Sequence, residues 1–143
     1  MQKDTAKLLR ECSLGVKMGE RAINLAIAHT PAGELKEALE TASESHAILG
    51  DEIKKCLFSA KVEEKELNPI IQMMSDIKIK GRLALNSSRA TIAALMTDGC
   101  NMGAKYVSHY LNKYPNASLS SQLLARRIVK SEDELRDKLR KFL

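Results

Sequence analysis

Three polar side chains stand where helical periodicity asks for apolar ones. Glu20 sits between Val16 and Ile23, His46 between Ala42 and Leu49, and Glu132 four residues after Ile128 and three before Leu135. A carboxylate or imidazolium taken out of water without a partner is costly, so each must meet a partner or reach solvent. The other reactive residue types carry less. His29 ends a helix, where an imidazole suits the dipole, and His109 lies among surface-prone residues. Tyr106, Tyr110 and Tyr114 recur every four residues as one stripe, which reads either as packing against the fourth helix or as a self-association surface. The six methionines suit gap-filling in a core. Cys12, Cys56 and Cys100 are far apart and form no CxxC pair. That spacing excludes a zinc knuckle or thioredoxin-type site and fits small buried thiols in a reducing cytoplasm. With no Ser-His-Asp or Cys-His arrangement, phosphate loop or dinucleotide turn, no catalytic residue is assigned.

The elements that must position Glu20, His46 and Glu132 are helices, because four segments repeat apolar residues at the helical period and no run alternates with period two. The first helix runs from Asp4, as N-cap, to Ala28. Gly15 and Gly19 within it each cost about 1 kcal/mol of propensity against Ala, a loss that makes sense if another helix approaches there. Thr30 as N-cap and Pro31 at the first helical position open the second helix, whose stripe Leu35, Leu39, Ala42, His46, Leu49, Ile53 and Leu57 continues to Ala60. After polar residues 61–68, Pro69 starts a shorter apolar piece through Ile70, Ile71, Met73, Met74 and Ile77 to Gly81. A third long helix is expected from Arg82 to Tyr114, the rival being one continuous helix from Pro69. Ser118, Ser120 or Ser121 caps the fourth, with the stripe Leu124, Ile128, Leu135, Leu139 and Phe142. A partly helical connection of about 20 residues can reach roughly 40 Å. It can therefore return the chain along a whole bundle. The expected fold is a single all-α domain over residues 1–143, an antiparallel four-helix bundle with a long, partly helical crossover between helices two and three.

A first hairpin with a core Glu and a core His, then a crossover and a second hairpin, resembles the ferritin-like superfamily. In its metal-binding members one Glu each comes from helices one and three, and Glu-x-x-His from helices two and four. Glu20 matches the first carboxylate. Ser43-x-x-His46 keeps the imidazole and replaces the carboxylate, and Glu132-x-x-Leu135 keeps the carboxylate and replaces the imidazole. Asp98 is the acid in the corresponding region of helix three. The stretch MTDGCNMGAKYVSHYLNKYP is further similar to a bacterial ferritin-like group of uncharacterised function. The resemblance implies a reduced metal site at Glu20, His46 and Glu132 holding iron, manganese or zinc. The alternative is a polar core in which Glu20 hydrogen-bonds His46 or a crossing residue, fixing helix register with no cofactor.

Bulk properties narrow the function classes. The chain has 143 residues, 44% hydrophobic and 29% charged, which suits one domain with an ordinary core. Aromatics are only 3%, with no Trp, so Ala, Leu, Ile and Met must fill an interior of closely packed helices. The net charge is +5, but the cations of 126–141 are interleaved with Glu132, Asp133, Glu134 and Asp137. That mixing reads as a solvated helix face and argues against a nucleic-acid surface, leaving polyanion binding as a third reading. The apolar stretch Ala22 to Ala28 is too short to span a membrane, and the N-terminus has no apolar leader. The expectation is a non-enzymatic cytoplasmic protein that works by homo-oligomer formation or by binding a protein partner.

Overall fold

The computed structural model describes residues 2–66 and 68–143. Leu67, in the polar connection, lies outside the described residues, as do the side chains of Pro69 and Ile70 that were placed in the apolar piece. The chain is all-helical, with no strand among the described residues. It forms α1 (Gln2–Ile27), α2 (Glu34–Ser59), α3 (Pro69–Leu85), α4 (Arg89–Lys113) and α5 (Leu119–Leu139), closed by a 3-10 turn at Arg140–Phe142. None of the described helices is long and apolar enough to cross a membrane.

Helix interiors follow the expected stripes, and helix ends are where the structure departs from them. The buried residues of α2 are Leu35, Leu39, Ala42, His46, Leu49, Ile53 and Leu57, the predicted set. Asp4, however, falls within the first turn of α1 and does not precede it. Thr30 does not cap α2. It is buried, and its hydroxyl donates to the Ala26 carbonyl at 2.7 Å, closing the end of α1 instead. A Ser or Thr hydroxyl can satisfy a carbonyl one turn back as readily as it caps a following helix. Gly33, at φ +148°, then makes the turn into α2, in a region that favours glycine.

The connection after α2 is more helical than expected. Gly81 does not end α3, because an open glycine costs only about 1 kcal/mol in a helix interior. The break lies at 86–88, where Asn86 Oδ1 accepts from Ser88 N at 2.9 Å and Ser88 Oγ accepts from Thr91 N at 3.2 Å as the cap of α4. The long third helix is thus two helices, and neither the Arg82 start nor the continuous alternative holds. Leu85, an apolar residue within the expected third helix, is 90% exposed at the end of α3. Ser118 is the cap of α5, accepting from Ser121 N at 3.3 Å.

The core divides into two clusters. One joins Ile23 and Ala26 of α1, Leu35 and Leu39 of α2, Ile79 and Leu83 of α3, Ile92 and Met96 of α4, and Leu135 and Leu139 of α5. The other joins Leu8, Cys12 and Val16, then Leu49, Ile53 and Leu57, with Val107, Leu124 and Ile128. So α1 and α5 run one way, and α2 and α4 run the other. Residues 60–88 return the chain from the second cluster to the first. α1 packs against α2, α4 and α5, α5 packs against α2 and α4, and α3 lies on α1.

Candidate functional site

Between the two clusters lies the polar pair of the core. His46 on α2 is 1% exposed and Glu132 on α5 is 5% exposed. His46 Nε2 meets Glu132 Oε1 at 2.5 Å, and His46 Nδ1 meets the Ala42 carbonyl at 2.8 Å. The carbonyl can only accept, so Nδ1 donates. A carboxylate also only accepts, so an ionised Glu132 makes Nε2 the second donor and His46 an imidazolium. Burial alone would lower the His46 pKa. The Glu132 hydrogen bond and charge, the Ala42 carbonyl and the charge of Glu20 oppose it, and the net direction is upward.

Two glycines let neighbouring helices close over this pair. A Cβ on Gly19 of α1 would stand 2.9 Å from His46 Nε2 and 3.0 Å from its Cδ2. A Cβ on Gly103 of α4 would stand 3.1 Å from Glu132 Cδ. The close approach expected at Gly15 and Gly19 is therefore real, and at Gly19 the approaching group is the imidazole itself. Gly15 faces Val107 and Tyr106 of α4 at 3.4 and 3.5 Å. Cys100 on α4 also borders the pair. Burial, and then the charge and hydrogen bond of Glu132, push its thiol pKa up, so it stays a protonated donor beside the carboxylate.

The structure brings together His46 and Glu132 from the expected set. Glu20 is partly buried and acts on His46 through its charge, while the carboxylate that accepts from the imidazole is that of Glu132. Asp98 is exposed. As an imidazolium, His46 donates from both ring nitrogens and has no lone pair to offer a metal. Among the described residues no three His, Cys, Asp or Glu side chains are grouped to hold an ion. As placed, this donor set does not fit a metal centre. What the arrangement can do is hold a proton and fix the rotation of α2 against α5.

The tyrosines form a second polar cluster. Tyr106 donates its hydroxyl to Glu11 on α1, which also accepts from Lys65 Nζ at 2.8 Å. Burial first, then Glu11, pushes the Tyr106 pKa up. Tyr110 and Tyr114 stack with centroids 6.0 Å apart, and all three rings are half-buried against the second core cluster. The Tyr106 hydroxyl is thus turned to α1, while the cluster the three rings pack against includes Leu124 and Ile128 of α5, the fourth long helix. Cys12, Cys56 and Cys100 are free thiols.

The His46 pair predicts a pH dependence. With its folded pKa above the unfolded value, His46 contributes stability that is fully present below about pH 6.5. That contribution is lost as pH rises through the folded pKa, at up to about 1.4 kcal/mol per pH unit. Urea unfolding from pH 6 to 9 should show this decline in the natural protein, and it should flatten in a His46→Leu/Glu132→Leu variant. Equal slopes in the two would mean that the proton is not held here.

No protein-family model, curated protein or solved structure matches the chain.

Proposed function

We propose that the chain is a metal-free four-helix bundle of ferritin-like order, formed by α1, α2, α4 and α5 with α3 as its crossover, and that it works by self-association. The helix directions and the return of residues 60–88 between the two core clusters support the ferritin-like order. Free cysteines, two of them buried, suit a reducing, cytoplasmic setting.

The observation that carries the reading is that α3 is apolar on two sides. Ile79 and Leu83 are buried toward the core, while Met73, Met74 and Ile77 are 57%, 64% and 63% exposed. A surface helix needs only one apolar stripe to hold its place, so a second one marks an interaction surface. Methionine suits that role because its flexible side chain adapts to a partner.

Sedimentation velocity across a wide concentration range tests the reading. The natural protein should shift from monomer to a larger species, and Ile77→Asp should remain monomeric. Because Ile77 is exposed, that substitution should change unfolding free energy by no more than about 0.5 kcal/mol. A natural protein that stays monomeric throughout would reject self-association.

A further inference from the structure

The outer surface of the crossover is ordered by charge as well as by hydropathy. Residues 61–66 and α3 lie end to end along α1. Glu64 pairs with Lys17, Lys65 with Glu11, and Asp76 with Arg21, so ion pairs tie both the connection and α3 to α1. Arg21 Nε reaches both Asp76 oxygens, at 2.9 and 3.0 Å, which seats α3 on α1. The cleft between them, bordered by Met18, Arg21, Ile71 and Ile79, is only about 30 Å³, room for about one water. The exposed side of this ridge begins with Glu63 and Glu66. It continues through Ile71, Met73, Met74 and Ile77, and it ends with Lys78, Lys80 and Arg82.

Resting on the self-association reading, we infer that this ridge docks on the same ridge of a second copy, the two α3 helices antiparallel about a twofold axis near Met74. Met74 stands midway in sequence between Glu66 and Arg82. Reversing the ridge about that point lays the acidic end of each copy against the cationic end of the other, while the Met and Ile side chains meet in the middle. A twofold interface demands this self-complementarity, in which residue i meets j and j meets i. A parallel pair would bring like ends together and is disfavoured.

The area fits a modest dimer. The exposed side chains of α3 present on the order of 300 Å² of apolar surface, the size of a substantial patch on a monomer. A standard interface covers about 800 Å² per partner, so the charged ends must supply much of the rest. The dimer is therefore weak, in the micromolar range, and sensitive to salt.

Charge reversal with rescue tests this arrangement. Lys80→Glu/Arg82→Glu and Glu63→Lys/Glu66→Lys should each weaken dimerisation by roughly tenfold, since each reversal makes contacts repulsive at both ends of the interface. Combining all four should restore the constant to within about threefold of the natural protein. In a Cys56→Ala background, Met74→Cys should form an intermolecular disulfide under mild air oxidation. The remaining cysteines are buried, and burial with the neighbouring Glu11 charge holds the Cys12 thiol up to about 12, so neither competes. A dimer that Ile77→Asp removes, yet that ignores both charge reversals or fails to crosslink at position 74, overturns the antiparallel pairing and leaves the self-association reading standing. A strictly monomeric natural protein overturns both, and gives the ridge to a different protein or an anionic lipid surface.

Discussion

Replacing His46 with leucine while Glu132 remains should destabilise the fold by about 3–5 kcal/mol, and replacing both residues with leucine should recover most of that loss. Glu132 is 5% exposed and accepts its short hydrogen bond from the imidazole, so the single variant leaves a buried carboxylate that must stay charged or take up a proton. Either alternative is costly in a low-dielectric interior. Glu132→Leu alone should cost less, about 1–3 kcal/mol, because the orphaned imidazole can shed its proton and keep its Nδ1 bond to Ala42. The double variant removes the desolvation of both charges and fills the space with apolar volume between clusters already rich in leucine. Urea unfolding at pH 6.5 across the four proteins measures the coupling. If the two single losses simply add in the double variant, the pair does not act as a unit.

The buried stripes were legible from periodicity alone, most completely in α2, because apolar residues at the helical period leave little freedom in which face turns inward. Helix ends were less legible. Thr30, Gly81 and Ser88 all carry local signals, but hydroxyls and glycines serve either side of a break, and tertiary contacts choose between them. The polar core was half legible. Glu20, His46 and Glu132 stood out as polar residues on apolar stripes, yet which carboxylate faces the imidazole depends on the rotation of α1 and α5 about their axes. A one-helix pattern does not contain that rotation. Gly19 does, in retrospect, because it sits beside Glu20 and lets the ring lie against α1 where any side chain would displace it. Gly103 does the same for Glu132 on α4, and nothing in the local pattern distinguishes it from Gly99, which faces open space. The double face of α3 was hidden for a different reason. Its apolar residues surround the helix and blur the period, so the run reads only as a short apolar segment.

Gly19→Ala and Gly99→Ala are the same chemical change in two helices, and they should act in opposite directions. Alanine gains about 0.5–1 kcal/mol over glycine in a helix interior, and at Gly99 nothing within 4 Å opposes that gain. At Gly19 the new methyl would stand 2.9 Å from His46 Nε2 and 3.0 Å from Cδ2. Those atoms belong to a rigid ring held at both nitrogens, by Ala42 at 2.8 Å and Glu132 at 2.5 Å, so it cannot swing aside without loosening a buried hydrogen bond. Overpacking of this kind costs about 1–3 kcal/mol, enough to cancel the propensity gain and leave a net loss. The propensity gain is common to both, so thermal or urea unfolding should separate the two variants by the overpacking cost, about 1–3 kcal/mol. The decisive comparison repeats Gly19→Ala in a His46→Ala background. With the ring gone, the methyl has room and the substitution should become neutral or stabilising. A penalty that persisted without the imidazole would have to come from the α1 backbone itself, and Gly19 would then have no part in seating the pair.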